Sequence, residues 1–299
     1  MTQTIGFIGL GMMGHGMAKN LLAKGFALRF AAHRSRATLQ DLLDAGAKEV
    51  DNRADLVRGA DAVILCVTGS PQVEDVVYGK DGLLAAAGRG LTVIDTSTAE
   101  PGSSTRIRND FAERGVTFID APLTRTPKEA EEGRLNTMVG AAPEDFERVR
   151  PILAAYCENI FHVGPSGHGH VIKLIYNMMA MTTAAMIAEA TAAAAKSGVS
   201  VQKLFEVTSA GGVNSGIFQW LLGRALQGDM AGLKFTIANG QKDLRYFTHL
   251  TESLPTTSFL AEAAHQSFVL AANLGLGDRF IPSLLQAQEQ INNVQILPR

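Results

Sequence analysis

Thr4-Ile5-Gly6-Phe7-Ile8-Gly9-Leu10-Gly11-Met12-Met13-Gly14 is the stretch that decides how the first half of this chain is read. Residues 4–8 have the apolar character of a buried strand, and an apolar helical pattern continues through Leu22. Between them stands G-x-G-x-x-G, at the first strand-to-helix turn. Gly9 permits the tight turn, Gly11 lets a pyrophosphate approach the backbone, and Gly14 lets the helix pack on the strand. N–H groups at the helix start then face the phosphates. The spacing alone is weak evidence. In this setting it predicts a dinucleotide site built from Gly9, Leu10, Gly11, Met12, Met13 and Gly14.

The next strand speaks to which dinucleotide. An NAD site usually carries Asp or Glu about 20 residues on, to hold the ribose 2′-hydroxyl. Here the stretch reads Phe30-Ala31-Ala32-His33-Arg34-Ser35-Arg36, with no acid. Arg34 and Arg36 suit a 2′-phosphate, with Ser35 as a hydrogen-bond donor and His33 beside them. NADP(H) is the preferred cofactor on this reading and NAD(H) remains open; a plain basic surface turn is the alternative.

Working outward, short apolar runs alternate with helical patterns up to about residue 165. Strands are predicted at Thr4–Ile8, Ala27–Ala31, Ala62–Val67, Thr92–Asp95, Thr117–Ile119, Thr137–Val139 and Asn159–His162. Amphipathic stretches such as Gly16–Lys24 and Thr38–Leu43 lie between them. That alternation implies an α/β, Rossmann-type doubly wound parallel sheet over residues 1–164. Beyond Pro165 the texture becomes alanine-rich and helical, with no proline from Ser166 to Leu254. Residues 165–299 are expected to form an all-α domain. Its spine is a helix over Val171–Lys196, stopped at Gly198. A helix so long and apolar must be covered on several sides, which points to a homodimer or homotetramer.

Composition excludes several classes. The chain has 299 residues, net charge −2 and 46% hydrophobic residues, the profile of a globular protein without bulk affinity for nucleic acid. Two cysteines, Cys66 and Cys157, build no disulfide framework and no CxxC zinc motif. The longest uncharged apolar run, Leu174–Ala188, is shorter than the roughly 20 residues of a membrane span. No basic segment precedes the apolar start, so no leader is expected and the expected location is cytoplasmic. His168 and His170 stand two apart on a glycine-rich turn without an acidic or cysteine partner, so no metal is expected.

Four further segments complete a pattern: Asp95-Thr96-Ser97-Thr98-Ala99-Glu100-Pro101, Asp120-Ala121-Pro122, Gly167-His168-Gly169-His170-Val171-Ile172-Lys173-Leu174-Ile175-Tyr176-Asn177, and Lys242-Asp243-Leu244. With the glycine turn, in this order and over nearly the whole chain, they resemble the β-hydroxyacid dehydrogenase family. The resemblance implies a Rossmann domain followed by a helical domain and an oxidoreductase acting on a small acid or semialdehyde. It gives the catalytic role to Lys173, as general acid or base, and substrate hydrogen bonding to Asn177. Positions i and i+4 share a helix face, which agrees with the pairing. Partial burial and nearby positive charge are expected to bring the lysine toward its working range. The same carry-over sets Thr98 at the nicotinamide half with Ser97 nearby, Val67 and Thr68 on the adenosine side, and Lys242 on the cofactor or at the closing of the site. A non-catalytic dinucleotide-binding module is the rival class, and the Lys173/Asn177 pair speaks against it.

The chain departs from the family in its substrate segment. The usual Asp-x-Pro-Val-Ser-Gly-Gly becomes Asp120-Ala121-Pro122-Leu123-Thr124-Arg125-Thr126. Thr124 can replace the serine hydroxyl, and Arg125 brings a permanently charged fork where a glycine is usual. The Arg125-Thr126 pair resembles the substrate loop of sulfolactaldehyde reductase in the same family, so a sulfonate or second carboxylate on the substrate is one reading. The other is that Arg125 faces solvent or pairs with Glu129 or Glu131. Asn214 and Phe218 stand where relatives line the substrate site from the helical domain.

Overall fold

A computed structural model describes residues 2–31 and 39–298. The chain forms two compact units, Met1–Lys173 and Leu174–Arg299.

The first unit runs β1 (Thr4–Ile8), α1 (Gly14–Ala23), β2 (Ala27–Phe30), α2 (Gln40–Asp44), β3 (Lys48–Glu49), α3 (Arg53–Val57), β4 (Ala62–Leu65), α4 (Ser70–Tyr78), α5 (Leu83–Ala86), β5 (Thr92–Asp95), α6 (Pro101–Ala112), β6 (Thr117–Asp120), β7 (Leu123–Thr124), α7 (Pro127–Glu131), β8 (Leu135–Gly140), α8 (Pro143–Leu153) and β9 (Cys157–Gly164). The strand order is β3-β2-β1-β4-β5-β6-β8-β7, with β9 paired to β8. From β3 to β6 every pairing is parallel. This is the doubly wound arrangement, in which the order reverses beside β1 and ligands collect at the strands' carboxyl ends.

Adjacent strand residues divide between two cores, as a sheet covered on both faces requires. Phe7, Ile64, Ile94 and Ile119 join Met17, Leu21 and Tyr156 on one side. Ile8, Val63, Leu65, Val93 and Phe118 join Phe111 and Val76 on the other.

The sheet is not wholly parallel. β8 runs antiparallel to β6 and β7, and β9 is parallel to β8. The two-residue strands β3 and β7 carry too little periodicity to be read in advance, which is why the antiparallel turn at Leu123–Thr124 was not expected.

α9 (His168–Lys196) begins in the first unit and its body belongs to the second. Its 29 residues extend about 44 Å. By length and composition alone it could cross a membrane. In the second unit, however, Met181, Ala184, Ile187, Ala188 and Ala192 are buried in a core with Leu221, Leu222, Leu244 and Phe268. That unit also contains α10 (Val201–Ser209), α11 (Gly216–Phe218), α12 (Ile237–Ser253), α13 (Phe259–Ala271) and α14 (Leu284–Asn292), and no named strand among its described residues. α9 starts three residues earlier than the sequence pattern implied, because its first turn is capped by a residue far away in sequence.

Candidate active site

The glycine turn joins β1 to α1. Gly9 has φ +101°, and a Cβ there would lie 2.1 Å from the Cys66 carbonyl oxygen; one on Gly14 would lie 2.0 Å from the Gly9 carbonyl oxygen. The protein's own packing therefore demands both. Gly11 differs: a Cβ there meets nothing within 4 Å. Its missing side chain leaves backbone open to approach, as a pyrophosphate needs. α1 starts with no side-chain cap hydrogen bond and no acidic residue in its first turn, so no side chain of its own offsets the positive end of the helix. These residues fit the phosphates of a dinucleotide. Leu10 and Met13 pack partly against the core, and Met12 is exposed. His33, Arg34, Ser35 and Arg36 lie outside the described residues.

Just past the turn, His15 bridges three elements. Its Nδ1 lies 2.7 Å from Glu131 in α7, and its Nε2 lies 3.1 Å from Asp41 in α2. Burial works against the imidazolium, but the hydrogen bonds to Glu131 and Asp41 outweigh it and raise the His15 pKa.

At the carboxyl ends of β4 and β5, Ser97 is buried and its Oγ accepts the Val67 N–H at 3.0 Å. Thr68 is exposed and Thr98 half-buried. Burial pushes the nearby Cys66 thiol up to about 11, which keeps it protonated and un-nucleophilic near neutral pH.

The head of α9 is built from distant strands. Asp120, at the end of β6, is fully buried. Its Oδ1 accepts the Gly167 N–H at 2.6 Å and its Oδ2 accepts the His170 N–H at 2.9 Å. A carboxylate thus satisfies N–H groups that a helix start leaves unpaired, and complements the positive end. Gly169 is needed for this approach, since a Cβ there would lie 2.5 Å from the Met138 carbonyl oxygen and 2.7 Å from Asp120 Oδ2. Lys173 follows one turn later and is buried. Asn177, one further turn along, is buried too, and its amide donates to Asp243 in α12. The other oxygen of Asp243 holds Lys242 Nζ at 2.6 Å, and that ammonium lies 4.7 Å from the Tyr246 ring centroid. Asp243 therefore fixes the Asn177 amide so that its oxygen is left as an acceptor. Chemically, α9 carries a primary amine and a carboxamide on successive turns, groups able to exchange a proton and to hold a hydroxyl.

The substrate segment carries more structural duty than the sequence implied. Leu123 and Thr124 are buried in β7, paired with Thr137 and Asn136. Arg125 has φ +80°, the left-handed region that favours glycine. Its guanidinium binds the Glu158 carboxylate and the Arg134 carbonyl oxygen. Neither Glu129 nor Glu131 is the partner. Thr126 caps α7 in a reciprocal box with Glu129. In the second unit, Phe218 is buried and stacks on Phe205 with centroids 5.4 Å apart. The Asn214 amide donates to the Ser209 carbonyl and accepts from Gln219.

The sequence carried no sign of the roles of Asp120, His15 and Asp243. Asp120 and Asp243 stood inside recognised motifs, but their partners lie 47 and 66 residues away. Among the described residues, no three His, Cys, Asp or Glu side chains gather as a metal site would need.

A doubly wound domain with an open glycine turn, followed by a buried lysine and asparagine on one helix, defines an NAD(P)-dependent oxidoreductase. Residues 4–164 match the NAD-binding domain of 6-phosphogluconate dehydrogenase, and residues 167–287 match the NAD-binding domain of NADP-dependent 3-hydroxyisobutyrate dehydrogenase. L-threonate dehydrogenase of Cupriavidus necator is 31% identical over 278 residues, 93% of each chain. 2-(Hydroxymethyl)glutarate dehydrogenase of Eubacterium barkeri is 29% identical, covering 98% of this chain and 97% of its own. The structure of 3-hydroxyisobutyrate dehydrogenase from Mycobacterium tuberculosis superposes with TM-score 0.85 at 26% identity, covering 96% of this chain and 99% of that one. The chain belongs to the β-hydroxyacid dehydrogenase family.

Proposed function

We propose that this enzyme interconverts a small 3-hydroxy acid and its semialdehyde with NADP(H), using Lys173 as general acid and base. The observation that carries the reading is the buried Lys173/Asn177 pair, one turn apart on α9, with Asn177 oriented by Asp243. The nicotinamide, when bound, supplies or takes the hydride. Lys173, as an ammonium, gives its proton to the carbonyl oxygen in reduction, and as an amine it takes the hydroxyl proton in oxidation. Asn177 donates to the same oxygen through the amide N–H that its bond to Asp243 leaves over.

The preference for NADP(H) rests on Arg34 and Arg36, and on the absence of an acid from residues 30–36. The Leu123–Thr126 segment is read as the carboxylate-binding side. Because Glu158 and the Arg134 carbonyl already engage Arg125, the reading favours a substrate with one carboxylate over a sulfonate or dicarboxylate. Exposed Ile175, Met179 and Met186 on α9 support assembly of two or four copies, which sedimentation of the purified chain reads directly.

The test is a screen of NADPH oxidation with succinic, tartronate and methylmalonate semialdehydes and sulfolactaldehyde. Turnover with a monocarboxylate semialdehyde is expected. Lys173→Ala should lower kcat by about 10²–10⁴-fold and leave NADPH binding intact. Surviving turnover in that variant overturns the lysine assignment.

A further inference from the structure

Outside the residues used so far, one polar cluster lies wholly buried in the first unit. His170, in the first turn of α9, and Asp95, at the end of β5, are both fully buried, and Ser104 of α6 nearly so. His170 Nδ1 lies 2.8 Å from Ser104 Oγ. His170 Nε2 lies 3.7 Å from Asp95 Oδ2. Among the described residues, neither of those last two atoms has a hydrogen-bond partner, and at 3.7 Å they stand just beyond hydrogen-bond distance of each other.

We propose that Asp95 and His170 hold one buried proton between them, and that this pair, braced by Ser104, is the positioning element that sets Lys173 at the head of α9.

Hydrogen-bond bookkeeping leads to the shared proton. The Ser104 hydroxyl also lies 3.2 Å from the Glu100 carbonyl oxygen. If the hydroxyl donates there, it accepts from Nδ1–H, and Nε2 is left to meet Asp95. If it donates to Nδ1 instead, Nε2 must carry the ring proton. In both cases one proton held between Nε2 and Oδ2, with the pair closing from 3.7 Å to hydrogen-bond distance, satisfies two atoms that burial would otherwise leave bare. Burial pushes the Asp95 carboxyl up, against the opposing pull of His170 and of the Ser97 hydrogen bond. A carboxyl so placed does not give up its share readily.

The placement links this pair to the chemistry. His170 and Lys173 are three residues apart on α9 and so leave the helix on neighbouring lines. Asp95 Oδ1 accepts the Ser97 N–H at 2.9 Å, so the carboxyl also ties down the segment leading to Thr98. Charged and titratable groups stand on the elements that carry and flank the pair. Asp120 of β6 accepts the His170 backbone N–H. Glu100 immediately precedes α6, and Arg108 of α6 donates to the Ser166 carbonyl at 3.0 Å. Cys66 follows β4, and His168 and Lys173 share α9.

This inference rests on the lysine reading above, and its test separates the two. The first measurement is imidazole ¹⁵N NMR of the whole, unaltered enzyme, with the His170 signal assigned by its loss in His170→Gln. A downfield proton attached to the Nε2 nitrogen, present in the unaltered enzyme and lost in Asp95→Asn, is expected. An Nε2 nitrogen without such a proton, or one whose proton is unchanged in Asp95→Asn, overturns the sharing.

The second measurement is kinetic, with the semialdehyde of the panel that wild type reduces fastest. His170→Gln and Asp95→Asn should each lower kcat tenfold or more, move the alkaline limb of the kcat profile, and leave the KM for NADPH unchanged. The double variant should be no worse than the worse single one. Multiplying losses, or wild-type kcat and limbs in His170→Gln beside an inactive Lys173→Ala, overturn the positioning role. If Lys173→Ala itself keeps its turnover, the positioning role falls with the lysine reading, and the NMR result alone decides the shared proton.

Discussion

The glycine turn and the substrate segment Leu123–Thr126 are both short, both sit at strand ends, and both depart from ordinary backbone geometry. They differ in who uses their residues. At the turn, Gly9 and Gly14 serve the fold, while a Cβ on Gly11 would meet nothing among the described residues. In the substrate segment, the polar side chains are largely occupied within the protein: Arg125 with Glu158, and Thr126 with Glu129. A motif whose function is carried by absent side chains can be read locally. A motif whose function is carried by side chains depends on what the fold sets opposite them.

That contrast is breakable. Gly9→Ala should cost about 3 kcal/mol or more, from a disallowed φ and a backbone clash. Gly11→Ala should leave the melting curve unchanged and weaken NADPH binding about tenfold, ~1.4 kcal/mol. Paired denaturation and binding titrations read both. Equal destabilisation by the two variants would erase the distinction between fold glycine and ligand glycine.

In the substrate segment, Thr126→Ala should cost about 1 kcal/mol of stability, the usual worth of a helix cap, as read by urea midpoint. Unchanged stability together with impaired turnover would return Thr126 to the substrate.

The His15 bridge adds a pH-dependent brace beside the turn. Its raised pKa contributes stability that is fully present below the ordinary histidine value of about 6.5 and fades as pH rises through the folded value. The depressed Asp41 and Glu131 values contribute above the ordinary carboxylate range and fade as pH falls. The brace is therefore strongest in mildly acidic solution. The stability gap between wild type and His15→Gln should be wider at pH 5.5 than at pH 9; a gap that widens with pH contradicts the bridge.

The smallest effect is expected from Arg125→Gly. It loses a partly exposed ion pair worth about 0–1 kcal/mol and relieves a left-handed backbone. Stability should stay within about 1 kcal/mol of wild type, and the KM for monocarboxylate semialdehydes should not move. A large rise in that KM would place the guanidinium on the substrate.

Much of this was legible in advance. β1, β4 and β5 are continuous apolar runs bounded by turns, and the glycine spacing is itself a backbone instruction. The lysine and asparagine follow helix periodicity. Less legible was anything fixed by two-residue strands or by long-range pairing. β3 and β7 are too short to show a period, so the antiparallel end of the sheet was not read. The start of α9 was misplaced because its cap, Asp120, arrives from another strand.

By itself the sequence determined the doubly wound first domain, the dinucleotide turn, the helical second half and the Lys173/Asn177 spacing, because each is written in local periodicity and in residues whose effect is on their own backbone. Only the tertiary structure decided that Arg125 belongs to Glu158, that Asp120 caps α9, that Asp243 orients Asn177, and that Asp95 comes to face a fully buried His170. Those are choices of partner for buried or charged groups. Partners are set by burial and by which strand end faces which helix, and no spacing along the chain encodes either.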